Sequence, residues 1–323
     1  MVVRTTAQLG REVRNLRFSR EKRLDAPVFA PHSCVQIDRG RAHMSSVRRQ
    51  ATSVRPIRLA LIVALLTPLM AGAEVASSLL LDLDFETGTI NSGNPRVYKP
   101  GASAADAATI TADRVRYGNY AVAHKTVVGD PAYIYSGLRS ESSTSLGSPN
   151  DATVPAFRSY QFSFSLRDWQ DWDGSYSDQI RDVIWQFKRD QGSPAEGYFS
   201  VRGNHLDFDQ PNVGRKTVVA DLRDYDNEWI DVRIDVNWAA DATGRYVVGV
   251  RLPGEADYAT VVDKSGIVTW RSGAGGGPNG KVQWGDFRPN STVENRAPTT
   301  RIVLHDNIRI STERLPPPTM QAR

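Results

Sequence analysis

From Glu74 to Ser311 the hydrophobic and polar positions alternate with a period of two, with no helical periodicity, heptad, GxGxxG or P-loop pattern. The clearest run is Trp229 to Trp238, WIDVRIDVNW. Ile230, Val232, Ile234, Val236 and Trp238 alternate there with Asp231, Arg233, Asp235 and Asn237, which predicts a half-buried antiparallel strand. Similar strands are predicted at Leu79 to Glu86, Tyr160 to Leu166, Val183 to Arg189, Gly197 to Gly203, His205 to Asp209, Arg245 to Leu252 and Thr300 to Ser311. Turn signals SPND, DATG and PNG separate them. The pattern predicts an all-β protein: a two-sheet antiparallel β-sandwich of the jelly-roll kind, with a concave ligand groove. The stretch Gly273 to Gly280, GAGGGPNG, is expected to be a flexible loop at one end of that groove.

Charge changes this picture only after it is located. The chain has 40 Lys+Arg against 36 Asp+Glu, but residues 1–73 hold 13 of the basic and 4 of the acidic residues. The remaining 27 basic and 32 acidic residues make the body mildly acidic, so no nucleic-acid partner is expected. The basic stretch RRQATSVRPIR, the apolar run Leu59 to Met70 and Ala71-Gly72-Ala73 read as a signal peptide over residues 44–73, cleaved after Ala73. Twelve apolar-type residues fall short of the roughly 20 that a membrane span needs. Membrane contact is therefore expected only during export, and the location is secreted or periplasmic. Residues 1–43 read as an over-extended gene model ahead of Met44, and the only cysteine, Cys34, lies there. The mature chain is expected to be a monomeric jelly-roll domain over residues 74–311, without disulfides, followed by a Pro-rich disordered tail over residues 312–323.

Candidate chemistry belongs on outward strand faces. Arg139 and Glu141 in GLRSESST share one face, as a structural ion pair or as a guanidinium aimed at a sugar acid. In DVIWQFKR, alternation puts Val183, Trp185 and Phe187 on one face and Ile184, Gln186 and Lys188 on the other. An amide and an amine side by side on so apolar a strand indicate either a solvated face or a ligand-facing one. His124, His205 and His305 each read as surface or strand-end residues, and none makes a short-range metal pair. Among them His205 is the catalytic candidate, because Arg202 and Asn204 are near. Asp84, Glu86 and Asp306 are the candidate ligands of a structural Ca²⁺.

The ordered set RSE (Arg139 to Glu141), FSFSL, WQFK, NEWIDVRIDVNW, a WGDFR turn and a closing HDNIRIS resembles secreted polysaccharide lyases of the heparin-lyase-I and glucuronan-lyase type, over roughly Leu80 to Ser311. The resemblance implies a concanavalin-A-like jelly roll that cleaves an acidic, uronate-containing polysaccharide by β-elimination, with no cofactor required. It implies that Arg139 and Gln186 bind the uronate carboxylate, and it sets Glu141, Arg202, Trp284, Phe287 and Arg288 beside the substrate. Two positions depart from the family pattern. Its Gln-x-His reads Gln186-Phe187-Lys188, and its Lys-x-Gly-x-Tyr reads Gln283-Trp284-Gly285-Asp286-Phe287. Lys188 serves as the base if its pKa falls from about 10.4; otherwise His205 or a tyrosine such as Tyr198 serves. The alternative is a non-catalytic carbohydrate-binding domain whose exposed aromatics Trp169, Trp172 and Trp284 stack on sugars. A glycoside hydrolase would need two carboxylates across the scissile bond, and the Glu-x-Asp-x-x-Glu pattern is absent.

Overall fold

Short apolar-polar alternations broken by Gly, Asn and Pro give strands rather than helices, and the computed structural model has that architecture. It describes residues 78–147, 156–169, 181–189, 194–271, 280–289 and 300–318, all within one unit. The expected leader and its cleavage site, the segment 1–43, Trp172, the SPND turn and most of GAGGGPNG lie outside the described residues. The strands are β1 (Leu79–Leu83), β2 (Val97–Tyr98), β3 (Ala108–Thr111), β4 (Ala121–Val127), β5 (Leu138–Thr144), β6 (Ala156–Arg167), β7 (Asp182–Lys188), β8 (Ala195–Arg202), β9 (His205–Gln210), β10 (Gly214–Val219), β11 (Ile230–Trp238), β12 (Gly244–Arg251), β13 (Ala259–Ile267), β14 (Lys281–Arg288) and β15 (Thr300–Ser311).

They form two antiparallel sheets. One runs β13-β12-β11-β6-β15-β4-β3, with β1 also on β15, and the other runs β10-β9-β8-β7-β14-β5-β2. Their inner faces meet in one aromatic core. Phe162 of β6 stacks on Trp185 of β7 with centroids 4.2 Å apart, and Trp284 of β14 lies 6.2 Å from Trp185. Tyr160 and Trp238 close on Phe187 at 4.8 and 5.2 Å. Each such ring removes roughly 150–250 Å² from water, worth about 4–6 kcal/mol by area. Among the described residues no helix is long and apolar enough to cross a membrane.

Four expectations change. The polar face of β11 is covered rather than solvated. Asp231 is buried against Arg116 and Arg251, and Asp235 takes hydrogen bonds or ion pairs from Ser159, Arg233 and Arg314. Part of that cover is the C-terminal segment, so the tail is not wholly disordered: Leu315 is buried, and Gln161 donates to the carbonyls of Leu315 and Pro316. In β7 a register shift between Val183 and Trp185 breaks the alternation. Ile184 joins the core beside Trp185 and Phe187, whereas Val183 pairs with Phe287 and Ser200 on the outer face. Finally, WGDFR is not a turn but the end of strand β14.

Candidate functional site

The outer face of the β5-β14-β7 strip forms the floor of a cleft of about 690 Å³. Register fixes which side chains share it, because residues directly opposite in neighbouring strands point the same way. Ser143 pairs with Gln283, Gln283 with Gln186, Gln186 with Tyr198, and Tyr198 with Asp209. Lys281 likewise pairs with Lys188, and Phe287 with Arg139. Arg139, Glu141, Lys188, Lys281, Gln283 and Phe287 line the floor, and Tyr98, Lys99 and Tyr135 form the wall beside the edge strand β2.

Four of the expected site residues are joined here. Gln186 is almost fully buried and donates to Glu141 Oε1 at 2.6 Å. The other oxygen of Glu141 lies 3.4 Å from Arg139 Nε, and the Arg139 guanidinium lies over the Phe287 ring at 3.9 Å. The amide thus sits beneath Glu141 rather than in the open cleft. Carboxylate and ring between them hold the guanidinium flat. Lys188 stands beside this unit, and no hydrogen bond from its amine to a described residue is found. Burial and the Arg139 and Lys281 cations push the Lys188 amine below the usual lysine range, against the pull of Glu141. Burial pushes the Glu141 carboxyl up, against Arg139, Gln186 and Lys188. An amine pushed down beside a carboxyl pushed up is the kind of pairing that proton-transferring sites use.

The other expected residues are elsewhere. His205 is on β9, two strands from β7 and so about 10 Å away; its Nε2 lies 3.5 Å from Asp207, and it does not line the cleft. Arg202 is almost fully buried, 3.4 Å from Asp207 and 3.7 Å from Asp209, which leaves its charge satisfied within the sheet face. Tyr198 donates to Asp209 at 3.0 Å, and burial raises its phenol, which disfavours a phenolate base. Trp284 and Arg288 are corrected outright. Strict alternation along β14 turns Val282, Trp284, Asp286 and Arg288 inward and Lys281, Gln283 and Phe287 outward. Trp284 is therefore a core residue, and Arg288 is fully buried, with two 2.8 Å bonds to Asp182. Arg301 from the opposite sheet meets the same carboxylate at 2.8 Å. Trp169 is half-buried against the core, with Arg301 over its ring.

His124 and His305 are also interior, not surface, residues: both are fully buried, their rings 5.7 Å apart, and burial lowers both imidazoles, His124 to about 3. Asp84, Glu86 and Asp306 do not form the expected cation site. Glu86 accepts from the amides of Asn119 and Tyr120, and Asp306 from those of Arg116, Tyr117 and Asn307. Burial pushes the Asp306 carboxyl up to about 7 against those bonds, and a carboxyl so disposed is a poor Ca²⁺ ligand. Among the described residues no group of three His, Cys, Asp or Glu is poised to hold a metal.

Sequence reasoning missed Lys99, Lys281, Gln283, Tyr98 and Tyr135. Reading KVQWGDFR as a strand exposes Lys281 and Gln283 by alternation alone. Tyr98, Lys99 and Tyr135 come from an edge strand and loops, which carry no periodic signal.

A family model described as polysaccharide lyase matches residues 85–309. The chain belongs to this polysaccharide lyase family. The matched span runs from just after β1 into β15 and includes the whole cleft floor. Among solved structures, the chain is similar to a GH131 β-glucanase catalytic domain from Podospora anserina, at 12% identity over 73% of this chain and 97% of that one, with a TM-score of 0.50. That likeness shows the sandwich fold alone. An endo-β-1,4-glucuronan lyase from the fungus Trichoderma reesei also matches at 18% identity over 67% of this chain and 94% of that one, with a TM-score of 0.45. No curated protein matches the chain.

Proposed function

We propose that this lyase family member is secreted and cleaves an acidic, uronate-containing polysaccharide by β-elimination in the cleft between β2 and β7. The observation that carries the reading is the charge of the cleft: Lys99, Arg139 and Lys281 face a single carboxylate, Glu141, with the Lys188 amine beside them. Three cations converging on one groove favour a polyanion and disfavour a neutral glycan. In the proposed step a uronate carboxylate lies against Arg139, whose charge takes up the negative charge that develops as C5–H breaks. Neutral Lys188 removes the C5 proton. The electron pair of that bond forms C4=C5, the C4–O4 bond breaks, and the ammonium formed on Lys188 protonates O4. Gln186 and Glu141 act as positioning residues that hold Arg139. Lys188 replaces the imidazole of the family pattern, and its lowered amine supports that replacement.

A second reading, a cleft that binds without cleaving, is favoured by one feature: Phe287 stands where the family pattern has a tyrosine, and it brings a ring without a hydroxyl. One experiment separates the two. The domain from residue 74 onward is incubated with glucuronan, alginate, heparin and pectin while ultraviolet absorbance of unsaturated ends is followed. Elimination gives rising absorbance with at least one polymer. Binding without any unsaturated product replaces the enzyme by the binding module, and absence of both sinks the polyuronate reading.

A further inference from the structure

The described residues leave five large apolar side chains open to solvent: Tyr98, Tyr120, Ile134, Tyr135 and Phe157. Two of them, Tyr98 at 57% and Tyr135 at 48% exposure, stand on the same wall of the cleft. Exposed rings are ordinary when scattered. These two line the same cleft over a basic floor, and one is braced by its neighbours.

The segment around Tyr135 is braced from beneath and from both flanks of its turn. The Tyr135 amide donates to the Gly137 carbonyl at 2.8 Å, and Ile134 bridges Leu138. Ser136 and Gly137 take φ values of 54° and 110°, a turn that the glycine makes accessible. The ring lies on the bare backbone of Gly101, where a Cβ would come within 2.8 Å of it. A Cβ at Gly137 would likewise come within 2.7 Å of the Phe287 ring, the ring beneath Arg139. Arg139 also donates to the Ser136 carbonyl at 3.4 Å. Tyr135 and the Arg139 guanidinium are therefore mechanically linked through Ser136 and Gly137. A ring fixed before a ligand arrives loses little rotamer freedom on binding.

We infer that Tyr98 and Tyr135 form a stacking wall that receives the apolar C–H face of a pyranose ring while the floor cations hold its carboxylate. The inference rests on the reading of the cleft as the polymer site, and it makes recognition two-sided. Lys99, Arg139 and Lys281 read charge, whereas the rings read the sugar plane and are indifferent to charge. The two contributions separate by salt dependence, because screening weakens exposed charge pairs and leaves stacking nearly untouched.

The test is calorimetric binding of hexasaccharides from glucuronan, alginate and polygalacturonate to the wild type and to Tyr135→Ala, Tyr135→Phe, Tyr98→Ala and Lys99→Ala, from low to high salt. Each alanine substitution of a tyrosine should weaken binding roughly tenfold, with the salt slope unchanged. Tyr135→Phe should stay within about threefold of wild type. Lys99→Ala should flatten the salt slope. Unchanged melting temperature in Tyr98→Ala, a substitution at an exposed edge, separates a binding loss from a folding one. Wild-type affinity in both alanine variants overturns the wall. So does an equal loss in Tyr135→Phe, which would assign the effect to the hydroxyl. A wild type that binds none of the acidic hexasaccharides sinks the cleft reading itself, and the wall with it.

Discussion

Gly285→Ala tests the geometry of the cleft floor directly. Gly285 stands on β14 opposite Glu141 with φ of 140°, a value that side-chain-bearing residues rarely take. A Cβ there would lie 2.1 Å from the Ser140 carbonyl oxygen, 2.8 Å from Glu141 Cα and 3.0 Å from His124 Cδ2. Two of these three neighbours are backbone, so no rotamer change relieves the clash, and β5 must move by roughly 1 Å to restore ordinary contact. Overpacking of this kind costs about 1–3 kcal/mol, and the forced φ adds about 1–3 kcal/mol. The total, about 2–6 kcal/mol, corresponds to a melting temperature about 4–24 °C lower in a domain of this size. Because β5 carries Arg139 and Glu141, binding of acidic oligosaccharides should weaken even where the variant is fully folded. Scanning calorimetry gives the first quantity, and titration well below the variant's transition gives the second. A Gly285→Ala protein melting within about 1 °C of wild type would refute the packing argument.

Other outcomes follow from the same site. Arg139→Ala should weaken binding of acidic oligosaccharides by about tenfold or more, the loss of a charge-assisted bond, and leave neutral ones unchanged; equal loss for both would mean a disturbed fold. Lys188→Met keeps the stem and removes the amine, so elimination should fall by about 10²–10⁴-fold with binding still measurable. Near-wild-type turnover would move the base elsewhere. Lys281→Ala removes a cation that holds the Lys188 amine down. The Lys188 pKa should then rise, and the acidic limb of the pH–rate profile, where the neutral base is lost, should move to higher pH; a shift in the acid direction contradicts the assignment. N-terminal sequencing of exported protein should begin near Glu74, and recovery of Leu59 to Met70 in a membrane fraction would make the segment an anchor.

The class of fold was legible because alternation is local: WIDVRIDVNW predicts β11 from its own residues. What covers a polar face is not local. Asp231 reads as solvated until Arg116 and Arg251, 115 and 20 residues away, are brought to it. The same holds for the site. Arg139 with Glu141, and Gln186 with Lys188, could each be paired by spacing, and the register then joined the two pairs across β14. The bulge at Ile184 was invisible, since an irregularity in pairing belongs to two strands and leaves no trace in the periodicity of one. Trp284 and Arg288 were misjudged for a simpler reason. A Gly-Asp pair reads as a turn, and only once the segment is a strand does alternation carry both side chains inward.

Pairing of β1 with β15 brings the two ends of the domain together. Leu79 lies opposite Ser311, and the Thr312 amide donates to the Ser78 carbonyl at 2.8 Å. Chain continuity across that point is therefore geometrically dispensable. A circular permutant that joins residue 318 to residue 78 through a glycine linker, and opens the chain at the exposed segment 254–257, should keep both sheets intact. Since β1 and β15 both belong to the sheet without the cleft, a tether fused at either end emerges from that sheet, so the domain can be immobilised by its ends with the cleft facing outward.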